Sequence, residues 1–430
     1  AILADVQTAV MDTALKTYTV SAVSAGSDDE QITITAADRT GAGVGTELGA
    51  TTNVGTAFLQ AVQAATNDTL ADADAEDGFG NVLNQINGFA STTADTDLSK
   101  QAAPQTDTIG GSAVATRAMT GTVQGIVSNR MASLRSGDAF VTGMSAGNGM
   151  SANSGFIQAF GSEGEQKNTT SSGATVYGFD AETSGVAFGF DGITDDGSTI
   201  GLSASYSSTD VDGKGTGKSK NSIDSYTVSA YADKATENGY IEGSLTYGVN
   251  ENSSSRIVNT AGLNRSYTSD YDSNQISLKV GGGVPQEVRD GTFVTPFMSA
   301  TATAINTDAY VEKSNTANDS LRLRVEQEDI NSLVGSVGVK AHMVTDNGTP
   351  MISLAVNNEF GDSKISTQNT YQGGGTKFKT THEVEELSAT LGLGFSFGND
   401  VTSLNINYEA NVSDDEYVNQ YGSVKIVAKF

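Results

Sequence analysis

The sequence contains no cysteine and no tryptophan, and it has only 4 prolines among 430 residues. A chain without cysteine can cross an oxidising periplasm without forming premature cross-links. The low proline content and the 49 glycines suit strand interiors, because proline removes a hydrogen-bond donor from a sheet and glycine lets neighbouring elements approach. A run of about 18 apolar residues is also missing, so the sequence predicts no membrane-spanning helix.

Acidic residues outnumber basic ones by 51 to 24, which gives a formal net charge of -27. This balance argues against nucleic acid as a partner, because phosphate contacts require Lys and Arg. The sequence opens at Ala1 with no Met, no charged n-region and no apolar h-region. We therefore expect either that a signal peptide has been removed or that the sequence is a fragment.

Residue types that support catalysis or metal binding are scarce. The two histidines, His342 and His382, provide almost no material for a His-based triad or a His-rich metal site. No Walker or zinc motif is present. One acidic cluster has a glycine misplaced for an EF-hand, and we interpret it as a solvated loop: Asp72, Asp74, Glu76 and Asp77. The sequence predicts no catalytic residues, no metal site, no cofactor and no enzyme.

Apolar residues alternate with small or polar ones throughout the chain after residue 153. In the clearest segment, Leu391, Leu393 and Phe395 alternate with glycine and serine. A strand has a side-chain period of two, so one face suits hydrocarbon and the other suits water or polar partners. The pattern predicts 12 strands, at 155–166, 183–194, 199–211, 222–234, 240–252, 270–283, 292–310, 327–343, 350–361, 383–397, 400–412 and 418–430.

The connections between these segments alternate in length and chemistry. One set consists of tight turns rich in Gly, Asp or Asn, and the other set consists mostly of longer polar loops. Short periplasmic turns and long external loops are typical of outer-membrane barrels, whereas a soluble β-sandwich shares only the alternation. The longer connections are 167–182, 212–221, 253–269, 311–326 and 362–382, and 413–417 is a short exception. Interfacial aromatic girdles are expected from Tyr206, Tyr226, Tyr240, Tyr247, Tyr408 and Tyr421.

The last ten residues carry a further indication of a membrane barrel. Val424, Ile426, Ala428 and Phe430 share one face of the final predicted strand, whereas Ser423, Lys425 and Lys429 lie on the other face. Membrane β-barrel chains tend to end in this way, and we interpret the four residues of the first face as an assembly signal.

Upstream of the strands the period of the pattern changes from two to about 3.6, which predicts a helix over residues 112–135. At about 1.5 Å rise per residue this helix would be about 36 Å long, enough to pass through a bilayer-spanning barrel. It carries Arg117, Arg130 and Arg135, and Asp191 and Glu242 are candidate carboxylate partners on the inner wall. An amphipathic helix packed on a soluble domain is the alternative, but its position directly before the first strand favours the lumen.

The order of these elements resembles the C-terminal translocator domain of monomeric autotransporters, the type V secretion proteins of Gram-negative bacteria. The resemblance covers about residues 100–430. It rests on the helix followed by 155–162 (GFIQAFGS) and 178–191 (GFDAETSGVAFGFD), on 224–231 (DSYTVSAY), on Arg256 and on the terminal Phe430. Phe156 is a departure, because the family usually has Trp at this position.

The resemblance implies an all-β membrane protein, a 12-stranded antiparallel transmembrane β-barrel with an N-terminal α-helix in its lumen. The implied domains are the end of a passenger or a short passenger or linker at 1–108, a lumen-spanning helix at 109–137 and an outer-membrane translocator barrel at 153–430. It implies outer-membrane lipid, the barrel assembly machinery, periplasmic chaperones and the protein's own passenger as partners. The N-terminal region would lie in the lumen towards the periplasm or be exposed at the cell surface.

Three functional classes are weighed from the sequence. The first is a translocator that anchors and exports its own passenger, and the second is a porin that passes small solutes. A porin would usually have more strands and no helix through the barrel. The third is an outer-membrane protease or lipase, which the scarcity of histidine argues against. Some autotransporters release the passenger by asparagine cyclisation, but those members use paired asparagines, whereas Ser128 precedes Asn129 here.

Overall fold

The computed structural model describes eleven ranges of the chain: 16–22, 32–38, 106–135, 154–171, 174–260, 263–317, 319–373, 377–384, 386–399, 401–414 and 417–430. The acidic cluster at 72–77 lies outside these ranges. Among the described residues, no helix is long and apolar enough to cross a membrane.

The described ranges contain one helix, α1 (Thr106–Arg135), and 22 strands. In chain order the strands are β1 (Lys16–Ala22), β2 (Ile32–Asp38), β3 (Ser154–Gln166), β4 (Thr169–Ser171), β5 (Ala174–Val176), β6 (Phe179–Ile193), β7 (Ser198–Gly213), β8 (Lys220–Ala235), β9 (Tyr240–Thr260), β10 (Leu263–Gly283), β11 (Gln286–Arg289), β12 (Thr292–Thr307), β13 (Tyr310–Val311), β14 (Lys313–Ser314), β15 (Leu323–Gln327), β16 (Ile330–Met343), β17 (Thr349–Glu359), β18 (Lys364–Tyr371), β19 (Phe378–Glu383), β20 (Leu387–Gly398), β21 (Thr402–Ser413) and β22 (Tyr417–Lys429).

The largest sheet closes into a barrel. It contains 14 strands, of which β11 and β14 are short appendages, so the remaining 12 form the wall in the order β3, β6 to β10, β12, β16, β17 and β20 to β22. Each neighbouring pair is antiparallel, and β22 pairs with β3 along its whole length, with Val424 opposite Ala159. Closure removes the sheet edges that would otherwise expose unpaired backbone groups in lipid. The predicted 12-stranded barrel is confirmed.

The alternating sequence pattern separates the two faces of the wall. Leu202, Val228 and Leu393 are examples of outward-facing apolar side chains, and each is about half exposed or more. Ser203, Thr227 and Ser229, their inward-facing counterparts on β7 and β8, are almost fully buried. Because a one-residue slip would exchange the faces of a strand, this contrast also determines the register.

Short turns join the strands at one end of the barrel. The glycines Gly197, Gly291 and Gly348 have φ values of +77°, +71° and +139° in these turns, a region that side chains with a Cβ rarely adopt. At one turn, β11 pairs with the beginning of β12 and extends the hairpin beyond the wall. The predicted tight turns at this end therefore agree with the structure in position.

The opposite end contains more regular structure than the sequence predicts. The segment 253–269, expected to be a loop, belongs mostly to the paired strands β9 and β10, which extend beyond the rest of the wall. The strands β13, β15, β18 and β19 form a separate 4-stranded sheet from segments that were also expected to be loops. The polar composition of these segments had suggested loops, but their few apolar side chains, such as Leu323, Val325 and Ile365, are buried.

Two of the predicted girdle tyrosines were assigned to the wrong face. Tyr206, Tyr226, Tyr247 and Tyr408 are exposed on the outer surface, whereas Tyr240 and Tyr421 are 7% and 6% exposed and face the interior. Tyr421 lies on the same face of β22 as Ser423 and Lys425, both of which are buried. The period of β22 therefore requires an inward Tyr421, even though tyrosine is common at membrane interfaces.

Candidate functional site

Helix α1 runs along the barrel lumen, packed mainly against β6, β7, β8 and β9. It begins six residues before the predicted start at 112 and ends at the predicted Arg135. Along its length, from the end of the barrel with the long connections to the end with the short turns, α1 contacts different strands in turn. Because these strands come from all around the wall, the helix lies inside the barrel and not against its outer face.

Arg130 and Asp191 form the most buried contact of the helix. The Arg130 Nε and Nη2 atoms donate to the two carboxylate oxygens of Asp191 at 2.7 and 2.8 Å, and both side chains are 0% exposed. The Tyr231 hydroxyl donates to the same carboxylate at 2.8 Å, and Ser154 contacts both members of the pair. The Phe156 ring centroid lies 5.9 Å from the guanidinium carbon. The pair is thus bidentate and fully enclosed, the geometry in which an Arg–carboxylate contact is strongest.

Arg135 occupies the last turn of the helix beside the short-turn end of the barrel. Its Nη1 atom contacts the Asp233 carboxylate, and its Nη2 atom donates to Glu242 at 3.0 Å. The Tyr240 ring lies beneath the guanidinium, with its centroid 3.6 Å from the central carbon. A cation at a helix C-terminus is also favoured by the helix dipole. Three separate interactions therefore hold this end of α1.

Arg117 contacts the opposite part of the wall. Its Nη2 atom donates to the Glu359 carboxylate, whose side chain is 3% exposed. Glu359 also accepts hydrogen bonds from the Ser332 hydroxyl at 2.6 Å and from the Leu333 amide at 2.6 Å. This contact links α1 to strands across the lumen from β6 to β9.

Neutral hydrogen bonds occupy the middle of the helix. The Thr120 hydroxyl contacts the Gln275 amide oxygen on β10, and the Gln124 amide donates to the Ser277 hydroxyl at 2.7 Å. A buried polar group costs free energy unless it is paired, so these contacts also specify the rotation of α1 about its axis.

The N-terminal end of α1 contacts the segment between β7 and β8. The Asp107 carboxylate accepts hydrogen bonds from the Gly215 amide at 2.8 Å and from the Ser219 hydroxyl at 3.0 Å. Farther along, Asn221 donates to the Ser112 hydroxyl at 2.8 Å. Gly110 lies directly against His382 of β19, and a Cβ at this glycine would be only 2.3 Å from the imidazole. Only glycine fits here without displacement of the β18–β19 hairpin.

A second buried arginine organises the structure beyond the long-connection end. Arg256 donates to both Glu312 carboxylate oxygens at 2.6 and 2.7 Å and to the Leu321 carbonyl at 2.9 Å. Burial by itself lowers the pKa of Arg256, but the adjacent Glu312 carboxylate outweighs burial and raises it above its ordinary value. The guanidinium therefore remains charged and ties the extended β9–β10 hairpin to the next connection.

Apolar side chains fill the space between α1 and the wall near the short turns. Ile126 packs with Phe156, Phe160, Tyr421 and Val427 in one cluster, and Val127 and Met131 pack with Tyr231 in another. The Phe at position 156, which departs from the family's usual Trp, is 5% exposed and contributes to this packing. Phe156 therefore packs inside the barrel and not on the outer surface.

The structure thus places Arg130 against Asp191 and Arg135 against Glu242, and it adds partners that the sequence did not single out: Asp233, Glu359, Gln275 and Ser277. The alternation of inward and outward side chains along β8 and β17 could have predicted that Asp233 and Glu359 face inward. The four residues of the final predicted strand that we interpreted as an assembly signal do not contribute to this site. Val424, Ile426 and Phe430 are 45%, 48% and 74% exposed on the outer surface, and Ala428 is exposed with them.

A closed antiparallel barrel with a helix held along its lumen by buried ion pairs defines a class of bacterial outer-membrane transport barrels. Residues 155–409 match the autotransporter beta-domain family, and the chain belongs to that family. The barrel is therefore a translocator domain located in the outer membrane, and it is a transport unit. This assignment replaces the alternative interpretation as a porin.

Two known proteins illustrate the relationship. The chain is similar to the translocator domain of the autotransporter NalP from Neisseria meningitidis, with 20% identity and a TM-score of 0.55, covering 74% of this chain and 98% of that domain. It is 25% identical over 271 residues to outer membrane protein A of Rickettsia rickettsii, covering 60% of this chain. The match spans about 12% of the length of that curated relative.

Proposed function

We propose that this barrel exports the chain segment that precedes α1 to the cell surface and that α1 afterwards stays in the lumen as a plug. Residues 1–108 are then the end of a passenger, or a short passenger or linker, and the lumen-spanning helix corresponds to the predicted domain 109–137. The observation that supports this proposal is the direction of α1. Asp107 lies at the end with the long connections, whereas Arg135 lies at the end with the short turns.

In an outer-membrane barrel the short turns face the periplasm and the long connections face outward. Thr106, where α1 begins, therefore lies at the outer end of the lumen. Arg135, where α1 ends, and Ser154, where β3 begins, both lie at the periplasmic end. Export through the lumen accounts for this direction, because a passenger that had remained in the periplasm would require the helix to run the other way.

The contacts of α1 support retention after export. Each of the three arginines has a carboxylate partner on a different part of the wall, namely Glu359, Asp191 and the Asp233 and Glu242 pair. Removing one member of a buried ion pair leaves an uncompensated charge, which is costly in a region of low dielectric constant. The extended chain in transit would lack these pairs. Folding of α1 in the lumen is thus the step that stops movement.

The proposed partners during assembly follow from the outer face of β22. Val424, Ile426, Ala428 and Phe430 present apolar side chains outward in one row, available to the barrel assembly machinery before lipid surrounds them. The unfolded precursor has twelve such alternating segments, which require periplasmic chaperones to prevent association in water.

Surface exposure of a tag tests the proposal. We would insert one epitope after Gly45, upstream of α1, and a second epitope in the periplasmic turn at Gly197, in separate full-length proteins. External protease added to intact cells should remove the first epitope and leave the second intact. Both should be cleaved after the outer membrane is permeabilised.

The turn epitope controls for membrane integrity, and antibody labelling of intact cells provides a second measurement. A tag after Gly45 that stays protected in intact cells, while the barrel is folded in the outer membrane, would refute export of this segment. Protection of both tags together with loss of heat-modifiable migration would mean that the insertion prevents folding. The untagged protein, measured in parallel, shows the migration of the folded barrel.

A further inference from the structure

Near the end of the barrel with the long connections, α1 is enclosed on every side. All seven residues from 110 to 116 are buried, and seven residues cover about two turns of a helix. Farther along the helix, Gly121 is exposed. Because the side chains of two complete turns point in all directions, the surrounding structure must contact α1 all the way round at this level.

A ring of apolar side chains makes this contact, and we call it the collar. Five of its members come from the wall strands β6, β7, β8, β12 and β16, and the sixth comes from β18 of the separate 4-stranded sheet. They pack around Ala113, Val114 and Ala115 of α1, and none of them is more than 4% exposed. The members are Phe179, Val211, Ile223, Ile305, Ile330 and Ile365.

The collar differs from the rest of the lumen in composition and in shape. Elsewhere the inward-facing side chains are mostly polar, as Ser205, Thr227 and Ser277 show. The apolar cluster that contains Phe160 comes from the neighbouring strands β22, β3 and β6, so it covers one side of the lumen. In the collar, at least three strands separate β12 and β16 from β6 and β7 in either direction around the wall. The collar therefore surrounds the lumen instead of lining one side of it.

Glycine marks the tightest contact between α1 and the collar. A Cβ added to Gly111 would lie 2.7 Å from the Phe179 ring and 2.9 Å from Val211. The Phe179 ring centroid lies 6.1 Å from that of Tyr417 and 6.3 Å from that of His382, so neighbouring rings hold it in place. Because the backbone of α1 alone fills the space at Gly111, a polypeptide that passes this level lies in contact with the collar side chains.

The position of the collar relative to the start of α1 determines what passes through it. Helix α1 begins at Thr106, on the outer side of the collar. If the upstream segment is exported, residues 1–105 pass the collar before α1 reaches it, and during that time the collar has no α1 to pack against. The passing segment carries apolar side chains of its own, for example Val20, Ile32 and Ile34.

We propose, on the basis of the export described above, that the collar is a binding site for apolar side chains of the chain in transit. Removing apolar surface from water is favourable, so the collar side chains pack against those of the passing segment until α1 takes its place. This contact holds the segment against movement back towards the periplasm. The six members of the collar have no hydrogen-bonding side chain, so the collar binds an extended polypeptide by its apolar character and not by a particular sequence.

The test follows export in pulse-labelled cells that produce the full-length protein with the epitope after Gly45. The measured quantity is the half-time for the epitope to become accessible to external protease. Phe179→Ala, and separately Ile305→Ala with Ile330→Ala, should lengthen this half-time several-fold. Phe179→Leu, which keeps an apolar side chain, should have a smaller effect. The control is Phe188→Ala, which removes a ring from the outward face of the same strand and should leave the half-time unchanged.

A second comparison separates binding in transit from the packing of α1 in the finished protein. Ile32→Ser with Ile34→Ser removes two apolar side chains from the exported segment and leaves the barrel unaltered. These substitutions should lengthen the half-time in the unchanged barrel and have a smaller effect when combined with Phe179→Ala, because both remove the same contact. Effects of the two sets that combine independently would overturn the proposal.

Heat-modifiable migration shows whether the barrel of each variant is folded. Ile365→Ser, which lies outside the wall, replaces the wall variants if they do not fold. Equal half-times in the unchanged protein and in the folded collar variants would overturn the role of the collar and leave export intact. An epitope that never becomes accessible in the unchanged protein would refute export itself, and the role of the collar with it.

Discussion

Arg130 and Asp191 meet as a bidentate pair that is completely shielded from solvent, although the two residues lie 61 positions apart in the chain. A buried pair of this kind contributes little compared with apolar side chains of similar volume, but loss of one partner is strongly destabilising. Asp191 also accepts a hydrogen bond from Tyr231. The consequence is a helix held by a contact that tolerates replacement of both partners better than replacement of one.

The first prediction concerns this pair. Asp191→Asn or Arg130→Gln alone should destabilise the packing of α1 in the lumen by about 3 to 5 kcal/mol, because each leaves a buried charge without its partner. Replacing both residues with apolar side chains, as in Arg130→Met with Asp191→Leu, should recover most of the loss. Urea titration monitored by protease resistance of α1 gives the measurement. Additive single-variant effects in the double variant would contradict the pairing.

The second prediction compares glycines of the same helix. Gly121→Ala should stabilise α1 by up to about 1 kcal/mol, because alanine is the better helix former and the site is open. Gly110→Ala should destabilise it, because the added methyl group overlaps the His382 ring. Thermal unfolding of the refolded proteins distinguishes them. Equal effects of the two substitutions would mean that the β18–β19 hairpin does not pack on α1.

The third prediction tests the two faces of β20. Leu393 is 47% exposed on the outer surface, and Leu393→Arg should destabilise the barrel by about 2 to 4 kcal/mol if it lies near the bilayer midplane. Thr390→Arg, on the inner face of the same strand, should destabilise the barrel much less. The measurement is a reversible folding titration in lipid vesicles. Equal destabilisation at both positions would contradict the assignment of Leu393 to the outer face and Thr390 to the inner face.

The fourth prediction separates assembly from stability. Phe430→Ser should reduce the amount of protein in the outer membrane of cells more than it reduces refolding in detergent, since the outward row of β22 is proposed to be recognised during insertion. Phe397→Ser removes an aromatic ring from the outer face of β20 and serves as the matched control. Impaired refolding with normal insertion in cells would contradict this role for Phe430.

The fifth prediction concerns the obstruction of the lumen. Deleting residues 112–135 should leave a folded barrel whose conductance in planar bilayers is larger and steadier than that of the intact chain, because the helix occupies part of the lumen cross-section. Heat-modifiable migration checks that the shortened protein is folded. A conductance equal to that of the intact protein would place the current outside the space that α1 fills.

Much of the wall was determined by the sequence alone. Lipid on one side and a polar lumen on the other impose a period of two on every strand, so the number of strands and the outward faces of β20 and β22 can be read directly from the chain. A period of about 3.6 predicted helix 112–135 with its three arginines, and the period of two predicted the inward orientation of Asp191 and Glu242. Local patterns are informative here because each strand meets both environments.

The tertiary structure decided the matching of partners and the form of the lumen. Whether Arg135 meets Glu242, Asp233 or both depends on the shear of the closed barrel and on the rotation of α1 about its axis, and neither is encoded in any local period. The inward positions of Tyr240 and Tyr421 oppose the general interfacial preference of tyrosine. Likewise, only the packing of α1 against the wall leaves open space beside Gly121, where an added Cβ would meet no atom within 4 Å.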